Sequence, residues 1–72
     1  MIHHEPKFKI NDTVRTNSLY TGIFPEKNQF QGVVREIESI SLTDRYNRVI
    51  EVVQMVTVDG VRINQDYFDK VE

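Results

Sequence analysis

From Phe8 onward apolar and polar residues alternate. Phe8 and Ile10 flank Lys9, Asn11-Asp12 is a turn signal, and Val14 then lies between Thr13 and Arg15. This period of two predicts a short strand over Thr13 to Thr16, with Val14 inward and Arg15 in solvent. Two longer runs rich in Val and Ile, Gly32 to Ser41 and Arg48 to Val58, are separated by the polar turn Thr43-Asp44-Arg45-Tyr46-Asn47 and predict an antiparallel pair. In the second run Ile50, Val52, Val56 and Val58 define one face while Val49, Val53 and Met55 load the other. Apolar residues on both faces fit a long strand that bends from one layer of a small barrel into the next.

The sharpest local signal is Val58-Asp59-Gly60-Val61. A two-residue type I′ turn needs positive φ at both central positions, and Asp-Gly tolerates it. That turn sets a register of Val58 opposite Val61, Thr57 opposite Arg62 and Val56 opposite Ile63, with the four apolar residues on one side. Beyond Ile63, Asn64-Gln65-Asp66-Tyr67-Phe68 is too short for an α-helix. Asn64 caps a single helical turn there, which drops Tyr67 or Phe68 into the core. Asp69 to Glu72 then forms a closing strand with Val71 inward.

Asn17 to Gln31 carries Gly22, Pro25 and Asn28 among polar residues and is predicted to be a long loop. It also holds Leu19, Tyr20, Ile23, Phe24 and Phe30, so it has to fold back on the body, and loops of this length are often functional. Residues 1–7, polar apart from Met1 and Ile2 and interrupted by Pro6, are expected to be a flexible leader. The domain proper runs over 8–72.

Seventy-two residues suit one domain and leave little room for an internal cleft. Cysteine is absent, so neither disulfides nor thiolate-bound metal can support the fold. His3 and His4, the only histidines, point to opposite sides of an extended chain and do not clamp one metal. No serine or threonine has a histidine placed to activate it, and no glycine-rich phosphate loop occurs. No cofactor and no catalytic residue is therefore expected. Glu36, Glu38 and Glu51 suggest a solvated acidic strip on the long strands, offset by Arg35 or Arg48. No apolar run reaches the length of a membrane span, and Met1 to Ile10 lacks a signal-peptide core; a cytoplasmic protein is expected. Nine Lys and Arg against eleven Asp and Glu give a net charge of −2, which disfavours nonspecific binding to nucleic acid.

The order of short strand, long aromatic loop, two long strands, tight hairpin, single helical turn and short last strand resembles the SH3-like barrel. The resemblance implies an all-β fold with five strands, a long first loop and one helical turn before the last strand. Ile10-Asn11-Asp12-Thr13-Val14 with Gln31-Gly32-Val33-Val34 is similar to the start of KOW-type domains, with Asn11 where those domains carry glycine. Ser18 to Gly22 and Asn64 to Phe68 resemble the aromatic loop and tyrosine-bearing turn of Src-homology-3 domains, although the groove tryptophan is missing. The long loop and closing turn are also similar to those of the small electron-transfer accessory subunits of photosystems. Phe30 to Val34 and Val61 to Asn64 resemble plasmid-borne dihydrofolate reductases. Here Val-Arg-Ile-Asn replaces Val-Gln-Ile-Tyr, so both groups that line the shared pore of those enzymes are gone.

The function expected from these observations is a non-enzymatic protein-interaction module, an adaptor or inhibitor, that binds through the long aromatic loop and the Thr43 to Asn47 turn. Of the aromatic residues, Phe24 and Phe30 are expected to act as lids on the core and Tyr20 and Tyr46 as the better contacts, since exposed Tyr and Phe beside polar residues characterise interface centres. Arg45 and Arg48 flank Tyr46 and belong to the same binding set, as does Phe24. The alternative is a KOW-like nucleic-acid or ribonucleoprotein contact through Arg15, Arg45, Arg48 and Arg62. The partner is expected to be another protein, with the chain itself a monomer or homodimer and no membrane contact.

Overall fold

The computed structural model describes residues Met1–Glu72. Its strands are β1 (Ile2–His3), β2 (Thr13–Thr16), β3 (Gln31–Thr43), β4 (Val49–Val58), β5 (Val61–Asn64) and β6 (Phe68–Lys70). A short helix, α1 (Ser18–Ile23), comes after β2, and a 3₁₀ turn (Gln65–Tyr67) precedes β6. One sheet in the order β1-β4-β3-β2-β6, with β5 also paired to β4, curls into half a barrel. The five expected strands correspond to β2 through β6. All neighbours are antiparallel except β1 and β4.

Local chemistry sets the β4–β5 hairpin. Asp59 and Gly60 have φ of 50° and 78°, and Val58 faces Val61, Thr57 faces Arg62 and Val56 faces Ile63, as the turn type requires. Asn64 caps the 3₁₀ turn by accepting a hydrogen bond from Asp66 N at 2.9 Å, and Phe68 enters the core fully buried. Asn11 takes φ of 79° at the turn before β2, where an asparagine tolerates the left-handed region. Phe8 is buried beside this turn, but Ile10 is exposed and the segment before β2 is not a strand.

The core is one cluster of Phe8, Val14, Val34, Val56, Val58 and Phe68, with Phe30, Ile37 and Ile63 packed against it. It lies under the half of β3 and β4 nearest β2 and β5. Gly32 makes this packing possible: a Cβ there would lie 2.7 Å from both Val58 Cγ1 and Asp59 Oδ2. Immediately beyond, a register shift between Val34 and Glu36 turns β3 away from β2 and along β4. The far halves of β3 and β4 run past the core. Ile50, expected to point inward with Val52, Val56 and Val58, is half exposed for this reason.

Residues 1–7, expected to be a flexible leader, make strand and hydrogen-bond contacts with the body. Ile2 and His3 pair with Glu51 and Val52, and His4 N donates to Val52 O at 3.0 Å. Two buried glutamines hold the main chain from His4 to Lys7. Gln54 Nε2 donates to His4 O at 3.1 Å, Gln65 Nε2 donates to Glu5 O at 2.9 Å, and Gln65 Oε1 accepts from Lys7 N at 2.8 Å. A buried amide side chain must find partners, and here the main chain of the leader supplies them. No buried side-chain polar atom is left without one.

Gly32→Ala should lower the unfolding free energy by about 1–3 kcal/mol, the usual cost of forcing a methyl into a filled site, read from urea denaturation; a loss within error of zero would show that the corner yields freely. Gln65→Leu strands Lys7 N–H and Glu5 C=O, so hydrogen exchange at Lys7 should accelerate while the amides of Val34 and Val56 keep their protection.

Candidate functional site

The most prominent exposed chemistry lies at the tip of the β3–β4 hairpin, over Thr43 to Val49. Asp44 organises the turn: its Oδ1 accepts from Tyr46 N at 2.8 Å and Arg48 N at 3.1 Å, and Arg48 Nε donates to its Oδ2 at 3.1 Å. The main chain closes the loop through Asp44 N to Arg48 O and Asn47 N to Asp44 O, with Asn47 at φ of 64°. An aspartate that accepts local backbone N–H groups mimics a turn of main chain, and asparagine suits the left-handed position. The Arg48 backbone N–H, the largest influence, holds the Asp44 carboxyl below its ordinary value; desolvation opposes it, and the Tyr46 N–H and the Arg48 side chain add smaller lowering effects.

On this ordered turn Tyr46 is 64% exposed. The Arg45 and Arg48 guanidinium groups lie 5.0 Å and 5.3 Å from its ring centroid, one contributed from each side of the residue in sequence. Both distances fall within cation–π range. Leu42, Val49 and Ile50 are exposed apolar residues near the base of the tip, Val49 and Ile50 on opposite faces of β4. Three of the expected binding residues, Arg45, Tyr46 and Arg48, are thus brought together.

Tyr20 and Phe24 are not part of this cluster. The segment Asn17 to Gln31 was expected to lack regular structure, yet it contains α1. Asn17 caps the helix, accepting from Leu19 N at 3.0 Å and Tyr20 N at 3.3 Å, and its Nδ2 donates to Asp66 O at 2.9 Å. Tyr20 is 4% exposed, which corrects its expected role as a contact residue. Its ring centroid lies 5.3 Å from that of Phe24 in a tilted pair and 5.8 Å from that of Phe30 edge-to-face, while Phe24 meets Tyr67 and Phe30 meets Phe68. These aromatic contacts seal the end of the half-barrel. Phe24 is half-buried, with Lys27 Nζ 5.1 Å from its centroid. Nor are the loop and the tip neighbours: the loop leads into one end of the 13-residue β3 and the tip caps the other.

Leu19 and Ile23, each 54% exposed, form the open face of α1. Residues 19 and 23 are one i,i+4 pair and residues 20 and 24 another, and the aromatic pair is the one turned toward the body. The remaining arginines are dispersed, with Arg15 exposed on β2 and Arg62 on β5 bonded to Glu38 at 2.6 Å. His4 bonds Glu51 at 2.6 Å, so the partners of Glu51 and Glu38 are His4 and Arg62, in place of the expected Arg35 or Arg48. His3 and His4 contact different carboxylates, Glu5 and Glu51. No three potential metal ligands lie together, no pocket opens on the surface, and no helix is long and apolar enough to cross a membrane.

No protein-family model matches the chain, and no curated protein or solved structure matches it either.

Acid should dismantle the tip. The folded state holds the Asp44 carboxyl below its unfolded value, so the turn is fully supported above the ordinary carboxylate range and loses support as pH falls through the lowered value. The amide resonances of Tyr46 and Arg48 should move together with that midpoint in an NMR titration. In Asp44→Ala they should be averaged already at neutral pH; unchanged amides would show that the turn does not depend on the carboxylate.

Proposed function

We propose that this chain is a non-enzymatic binding module that engages another protein through the Arg45–Tyr46–Arg48 tip. The observation that carries the reading is a largely exposed tyrosine bracketed by two guanidinium groups on a turn already ordered by Asp44. Tyr and Arg are the residue types that most often dominate interface energies, and an ordered turn limits the entropy lost on binding. The cluster stands at the end of a long hairpin, a projecting shape suited to a partner's surface. Leu42, Val49 and Ile50 supply apolar area beside the charged ring. The best-fitting partner surface offers a carboxylate next to an apolar shelf, as an adaptor or inhibitor contact in the cytoplasm would. The SH3-like and KOW-like resemblance of the scaffold agrees with this role without specifying a target.

A second reading rests on the same ring. An exposed tyrosine flanked by arginines is also a platform on which a nucleic-acid base stacks. Salt separates the two, because contacts to phosphates weaken steeply as salt rises.

Affinity capture from lysate of the source cells, with titration of RNA and DNA at low and moderate salt, tests both. The double variant Arg45→Ala/Tyr46→Ala should weaken the captured complex by roughly 30-fold, the effect of losing a hot spot worth about 2 kcal/mol. Leu19→Ala/Ile23→Ala, at the other end of the molecule, should leave it unchanged. The reverse result would move the contact to α1, and salt-sensitive RNA or DNA binding lost in the tip variant would favour the nucleic-acid reading.

A further inference from the structure

Past Val34, β3 has a partner on one side only. Its pairing with β2 ends at Val33, the bonds between Val34 and the Asn11–Asp12 turn extend it by one residue, and Arg35–Thr43 is then paired to β4 alone. This leaves a nine-residue row with main-chain donors and acceptors facing outward. The other open edges, on β1, β5 and β6, are two, four and three residues long. Natural edges are normally protected by Lys, Pro or a covering segment. Arg35–Thr43 has no Lys and no Pro, its charges stop at Glu38, and Ser39-Ile40-Ser41-Leu42-Thr43 is an uncharged stretch with good strand propensity. Every residue of the row is exposed except Ile37 and Ile40, which are half-buried.

We propose that this edge pairs antiparallel with the same edge of a second copy of the chain, about a two-fold axis at Ile40. Self-pairing is restricted because opposite residues must share a sheet face, so the axis falls on a residue. Centred on Ile40, the pairs are Ile40 with Ile40 of the second copy, Ser39 with Ser41, Glu38 with Leu42 and Ile37 with Thr43. Ile40 and Leu42 from both copies then form one apolar group on the outer face, continuous with Val53, the register partner of Ile40 on β4. A centre at Ser39 would set the two Glu38 carboxylates on the close diagonal. A centre at Ser41 would shorten the overlap to Ser39–Thr43. Glu38 is already neutralised by Arg62, so the Ile40 register brings no unpaired acid against another. The two Arg45–Tyr46–Arg48 tips would point outward in opposite directions, with their Thr43 bases about 20 Å apart.

The absence of cysteine makes the register directly readable. Opposed Cα atoms of an antiparallel pair lie ~4.5–5.5 Å apart, within disulfide reach, so Ile40→Cys should give a disulfide-linked dimer under mild oxidation. Glu36→Cys should not, since its counterpart would sit about 27 Å away along the pair. Sedimentation of the unmodified chain should show twice the 8.5 kDa mass at high micromolar concentration. Ile40→Lys should return it to monomer with an unchanged circular dichroism spectrum. A wild-type chain that stays monomeric throughout would overturn the proposal and leave the edge to a strand of a different protein. Cross-linking of Glu36→Cys as fast as Ile40→Cys would overturn it too. The tip reading is tested apart from these outcomes, because both Cys variants and the wild-type chain keep Arg45, Tyr46 and Arg48.

Discussion

The architecture turns on the point where Gly32 crosses the Val58–Asp59 corner. There is room for a hydrogen and not for a methyl, with Val58 Cγ1 and Asp59 Oδ2 each 2.7 Å from where a Cβ would stand. This close approach lets β3 pair first with β2 and then, after the irregularity between Val34 and Glu36, lie along β4. It also brings Val14, Val34, Val56 and Val58 from three strands around Phe68. A bulkier residue at position 32 would have to displace the Asp59 carboxylate and the Val58 side chain, and Val58 belongs to the buried core.

A core of six residues is small, and polar side chains enlarge the ordered region around it. Gln54 and Gln65 are 2% and 3% exposed and spend their amide groups on the main chain of the leader. Thr16 acts similarly on the loop, accepting from Phe30 N at 3.1 Å while Thr16 N donates to Phe30 O. In each case a buried polar group that would cost stability if left alone fastens main chain just outside the strands, at His4, Glu5 and Lys7 or at Phe30.

How much of the fold is legible in the sequence depends on the range of the interactions. The Asp59–Gly60 turn, the Asn64 cap and the inward Val14 depend on neighbours a few residues away, and these are readable. The leader and α1 are not. Nothing within Met1 to Lys7 signals that glutamines about 50 and 60 residues distant capture its carbonyls. In α1 the helical cue is present, since Asn17 precedes two i,i+4 apolar pairs, but Gly22 and Pro25 point to a loop. Aromatic content does not equal exposure either. Tyr20 shows why: in so small a protein the largest rings are the most effective way to close an end. Tyr46 is the opposite case, an aromatic inside a polar turn, and it is the one left in solvent.

The same crossing that builds the core also determines what projects from it. Because β3 leaves β2 at Val34, the distal half of the β3–β4 ribbon is supported by strand pairing and the two-residue β1, with no hydrophobic layer beneath Ile50. A two-stranded ribbon of this kind is marginal by itself. Its opening free energy must therefore fall from the Gly32 end toward the tip, which places the Arg45–Tyr46–Arg48 cluster in the least costly part of the molecule to reshape. Asp44 counters that softness locally by bonding the turn to itself, so the tip is ordered by its own hydrogen bonds and not by the core. Substitutions at the tip surface are consequently separable from stability, whereas those at Gly32 are not, and recognition and folding occupy opposite ends of the same two strands.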